Sequence, residues 1–72
     1  MNEDAVNMSV RKFLKKFGVQ TQREIERAIR DAVREGRLSG DEKLEVRARV
    51  TLAEVGLDLT VDGTIELEQD PR

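Results

Sequence analysis

Between Val6 and Phe17 the apolar side chains are Val6, Val10, Phe13, Leu14 and Phe17, with gaps of 4, 3, 1 and 3. That rhythm belongs to an α-helix with one greasy stripe. Asn2 or Asp4 is placed to cap its start, and Glu3 and Asp4 suit the positive end of its dipole. Gly18 stands where a left-handed C′ residue would end the helix, with Leu14 and Val19 as the apolar pair of a Schellman ending. Thr21-Gln22-Arg23-Glu24 has capping-box spacing and predicts a second helix, whose stripe is Ile25, Ala28, Ile29, Ala32 and Val33. Gly36 predicts its stop.

After the turn signal Ser39-Gly40-Asp41 the period changes to two. Leu44, Val46, Ala48, Val50 and Leu52 alternate with Glu45, Arg47, Arg49 and Thr51, as in a strand with one buried face. Leu57, Leu59 and Val61 alternate again, and Ile65 and Leu67 follow Asp62-Gly63. A four-residue loop at 53–56 sets Leu52 opposite Leu57 and Val50 opposite Leu59, keeping apolar residues on one face. Asp62-Gly63 reads as a second hairpin turn. A two-residue loop there would mix the faces, so a three-residue loop at 62–64, or a bulge, is preferred. The expected architecture is α+β: two N-terminal helices packed on one face of a three-stranded antiparallel β-meander, in the order ααβββ. Residues 1–68 would form one domain and 69–72 a frayed tail.

Size sharpens the picture. A compact fold of this 8.2 kDa chain should expose about 4,500 Å², against about 11,900 Å² unfolded. Burial then contributes on the order of 110 kcal/mol, and ordering the chain costs on the order of 110 kcal/mol. Self-association would help a chain so balanced. The only rings are Phe13 and Phe17, which the stripe places in the core. No apolar run approaches a membrane span, and the opening MNED lacks the form of a signal peptide. With no cysteine, disulfides and thiolate sites are excluded. A cytoplasmic location without membrane attachment is expected.

The 72 residues include no His and no Cys, which removes the commonest general base, nucleophile and transition-metal ligands. Neither GxxxxGK[ST] nor GxGxxG occurs. The expected meander would gather Asp58, Glu66 and Glu68 on its outer face, but without the cleft and aromatics that carboxylate pairs need. No catalytic residue, metal site or cofactor is expected, and an enzyme is not.

The candidate interaction surface is basic. Arg23, Arg27, Arg30 and Arg34 fall within about 60° on a helical wheel, opposite the apolar stripe. Arg11, Lys12, Lys15 and Lys16 cluster on the first helix. Glu26–Arg30 and Arg27–Asp31 have the spacing of helical ion pairs. Residues 1–40 carry a balance of +3 and residues 41–72 one of −5. This favours a non-catalytic protein-interaction module, binding a protein partner or its own copy as a homodimer. Weak nucleic-acid binding through the basic helical layer is the alternative, set back by the interleaved acids and by the lack of an exposed stacking ring there.

The stretches Met1-Asn2-Glu3-Asp4, Asn7-Met8-Ser9-Val10-Arg11-Lys12-Phe13-Leu14-Lys15, Gly18-Val19 and Glu24-Ile25-Glu26 resemble a family of short bacterial proteins, of about this length, catalogued as a domain of unknown function. The similarity is strongest over residues 1–38. It implies a small, free-standing intracellular bacterial protein, and it carries no activity, cofactor or catalytic residue.

Overall fold

In a computed structural model, residues 1–68 are described. Their elements run as helix α1 (Glu3–Arg34), strand β1 (Lys43–Leu52), a 3₁₀ turn (Ala53–Val55) and strand β2 (Leu57–Glu66). The chain divides into two compact units, one holding the helix and one the hairpin.

Helix α1 is 32 residues long, about 48 Å at ~1.5 Å per residue. The Asn2 side chain caps it by accepting from the Ala5 amide at 3.1 Å. Glu3 and Asp4 occupy its first turn and Arg34 its last. Gly36, at φ 79°, ends it as the sequence predicts. Its amide donates to the Val33 carbonyl at 3.1 Å, and the Arg37 amide donates to the Ala32 carbonyl at 2.8 Å. These are the two bonds of a Schellman ending.

The expected break at Gly18 does not occur, so the two predicted helices are one. Gly18 has no positive φ and lies inside the helix with Val19, Gln20 and Thr21. A glycine inside a helix costs only about 1 kcal/mol relative to alanine. Uninterrupted i→i−4 bonding across residues 18–22 satisfies the amides that the Thr21–Glu24 box would otherwise have capped.

The hairpin unit corrects the second half of the expectation. The sheet is two-stranded and antiparallel, and residues 57–66 form one strand without a turn at Asp62-Gly63. The register runs from Leu52↔Leu57 and Val50↔Leu59 through Ala48↔Val61 and Val46↔Gly63 to Leu44↔Ile65. The predicted loop at 53–56 and the pairing around it therefore hold. Gly56, at φ 70°, takes the left-handed turn position. Parity could not exclude a loop at 62–64, because Val61 and Ile65 share a face either way. What decides is length: β1 offers ten residues, and a second strand ending at Val61 would leave the backbone of residues 43–47 without ladder partners. Running β2 to Glu66 supplies them. Gly63 fits because it is close to Val46: a Cβ there would lie 3.4 Å from Val46 Cγ1.

The fold is therefore α+β, with one long helix and a two-stranded sheet in place of ααβββ. Residues 69–72, expected to fray, lie outside the described residues.

Core formation is slight. Among the described residues Ala32 is the one buried apolar side chain, at 6% exposure. Ile25, Ile29, Leu44, Val46, Ala48, Val50 and Ile65 are half-buried. Val6, Val10, Phe13, Leu14, Phe17, Leu52, Leu57, Leu59 and Val61 are exposed. The two rings expected in the core are thus on the surface.

Candidate interaction surface

Continuity of α1 changes how its side chains line up. At about 100° per residue, Lys12, Lys16, Arg23, Arg27, Arg30 and Arg34 fall within about 60° of one another. The four arginines and two of the lysines therefore share one ridge along most of the helix. All six are exposed. Arg11 and Lys15, also exposed, lie to one side of that row, toward the opposite flank of the N-terminal apolar stripe. The structure thus joins six of the eight predicted surface residues in one row, with Lys15 beside it and Arg11 farther round the helix. Lys12, Lys15, Lys16 and Arg23 line an open groove floored by Val19 and Gln20.

The predicted helical ion pairs are replaced. Asp31 pairs with Arg34 rather than Arg27, and Glu26 accepts from Gln22 Nε2 at 3.0 Å rather than engaging Arg30. Among the described residues, Lys12, Lys16, Arg23, Arg27 and Arg30 make no ion pair.

Opposite the ridge the apolar residues form two stripes in sequence. Val6, Val10, Phe13, Leu14 and Phe17 point in one direction; Ile25, Ala28, Ile29, Ala32 and Val33 point in another, roughly 85° around the axis at ~100° per residue. The rings of Phe13 and Phe17 lie 6.3 Å apart and tilted by 31°, a contact that extends the apolar strip along the helix.

On the polar face of the hairpin the three cations of β1 are all paired. Arg47 Nε donates to Asp62 at 2.7 Å directly across the strands. Arg49 donates through Nε and Nη2 to the two oxygens of Asp58, at 2.9 and 2.8 Å. This fork holds the Asp58 carboxyl below its usual range and raises Arg49 above its own. Lys43 stands 3.8 Å from Glu66. Asp58 and Glu66 are therefore at opposite ends of β2 and form no carboxylate cluster. No group of three or more potential metal ligands occurs among the described residues. Glu45, Val46, Arg47, Asp62, Gly63 and Thr64 border an open hollow on the hairpin, where Arg47 and Asp62 are already paired.

One feature escaped the reading of the chain as a string. Glu42 folds back over the turn before β1. Its Oε2 accepts from the Ser39 amide at 2.9 Å and from Ser39 Oγ at 3.0 Å, while its Oε1 accepts from the amides of Gly40 and Asp41 at 2.9 and 3.2 Å. The Ser39 and Gly40 amides, then the Ser39 hydroxyl, lower the Glu42 pKa from 4.5 to about 2. Gly40, at φ 107°, permits the loop. The signal was the Ser-x-x-Glu spacing of residues 39–42, which is capping-box chemistry used on a loop. This carboxylate fills its own nest of amides and serves structure.

No helix among the described residues is long and apolar enough to cross a membrane. No curated protein matches this chain, and no solved structure matches it. The model of the Family of unknown function (DUF6494) matches residues 1–68. With all but the last four of its 72 residues covered, the chain belongs to that family.

Proposed function

We propose that this protein is a non-catalytic association module whose partner is a second copy of itself. The observation that carries the reading is surface. The helix and the hairpin each expose large apolar side chains. They are concentrated on the N-terminal half of α1 and on the tip half of the hairpin, at Leu52, Leu57, Leu59 and Val61. A chain without His or Cys has few means of catalysis, and apolar surface of this extent is what association uses. Sedimentation equilibrium at micromolar concentration tests the reading: a dimer mass is expected, and a monomer at every concentration removes it.

A second reading has its own support in the ridge from Lys12 to Arg34. Five of its six cations are unpaired among the described residues, as on a surface that meets phosphates. Titrating a short duplex and a single strand at low salt tests it. Binding that weakens steeply with salt is expected from this reading, and its absence at low salt eliminates it.

A further inference from the structure

We infer that two copies pair through the N-terminal stripe of α1 in antiparallel orientation, with the two-fold axis passing between residues 11 and 12. The inference rests on the self-association reading and adds its interface and geometry. Val6, Val10, Phe13 and Phe17 are 45%, 50%, 54% and 36% exposed. Their spacings are 4, 3 and 4, which reads the same in both directions and is the interval of a coiled-coil seam.

The residue sizes choose the orientation. The small residues, Val6 and Val10, come first, and the large ones, Phe13 and Phe17, come last. Reversing one copy sets Val6 against the other copy's Phe17, and Val10 against its Phe13. Each layer then holds one valine and one phenylalanine, and by the two-fold every layer has the same volume. Parallel pairing would stack ring on ring in two layers and valine on valine in the other two. The first is overfilled and the second underfilled, and both cost stability.

Charge points the same way. In the antiparallel pair Glu3, at the edge of the seam, comes level with the neutral Gln20 of the second copy. Parallel pairing would bring Glu3 beside its own copy, like charge against like. Head-to-tail alignment of the helix dipoles favours the reversed arrangement as well. The seam uses the side of α1 that carries Phe13 and Phe17, and it leaves the ridge of Lys12, Lys16, Arg23, Arg27, Arg30 and Arg34 outward. A symmetric interface of this kind closes at two chains.

The absence of native cysteine makes cross-linking clean. Val6→Cys and Phe17→Cys chains are mixed in equal amounts and oxidised under reversible conditions, and the disulfides are identified by mass. The mixed 6–17 product is expected well above its statistical share, because a disulfide forms only where Cα atoms approach within about 7 Å. Excess 6–6 and 17–17 products would overturn the antiparallel orientation. Statistical cross-linking from a wild-type protein that sediments as a dimer would place the interface elsewhere, ending this inference while leaving self-association intact. A wild-type monomer would end both.

Discussion

The helix and the hairpin are built alike, each with one apolar face and one charged face, but they treat charge differently. All three cations of β1 have a carboxylate partner on β2: Lys43 with Glu66, Arg47 with Asp62, and Arg49 with Asp58. On α1 the one cation in an ion pair among the described residues is Arg34. Cross-strand register holds opposite charges side by side at fixed spacing. On the helix the acids at pairing distance are engaged elsewhere, Glu26 by Gln22 and Asp31 by Arg34. The difference teaches which element faces outward chemically. The hairpin pairs the cations of its own polar face, whereas the helix keeps a cationic ridge available and an apolar stripe uncovered.

The strongest way to break the comparison is to spoil the stripe. Phe13→Asp is expected to weaken self-association more than about tenfold, since losing an aromatic anchor costs ~2 kcal/mol or more. Sedimentation velocity across a dilution series measures this, and an unchanged dimer would show that the stripe is not the seam. Next is Gly56→Val in the hairpin turn. Its φ of 70° is hostile to a β-branched residue, while an added Cβ meets nothing within 4 Å. A loss of about 1–2 kcal/mol from backbone strain alone is expected in urea unfolding.

Gly18→Ala sharpens the view of the helix. Nothing lies within 4 Å of the added Cβ, so alanine should stabilise the chain by about 0.5–1 kcal/mol. A loss of helical circular dichroism would instead restore the break at residue 18. Arg30→Ala is expected to change stability by less than ~1 kcal/mol, because Arg30 makes no ion pair among the described residues; chemical denaturation checks it.

Finally, the Glu42 carboxylate is stabilised by folding, with its pKa lowered from 4.5 to about 2. Its contribution is complete above about pH 4.5, erodes as the pH falls, and is gone below about pH 2. Urea midpoints measured across that window should fall less steeply for Glu42→Gln than for wild type.

These outcomes bear on what the chain discloses about itself. The helix cap, narrowed to Asn2 or Asp4, the stop at Gly36, the loop at 53–56 and the pairing of Leu52 with Leu57 were legible, because each depends on residues close in sequence or on strict alternation. The ridge of Arg23, Arg27, Arg30 and Arg34 was legible for the same reason. Its extension to Lys12 and Lys16 was hidden by the assumed break. The exposure of Phe13 and Phe17 was hidden too, since a stripe records which side chains share a face and not whether anything covers them.

Local order thus follows from the amino acids alone: helical period before residue 36, strand period after residue 43, and the phase of each. Two glycines needed the whole fold. At Gly18 the competing states differ by about the cost of a helical glycine, ~1 kcal/mol, so the continuity of hydrogen bonds on both sides decides. At Gly63 the decision belongs to a distant segment, because the backbone of residues 43–47 requires partners that β2 can supply only by remaining extended through the glycine.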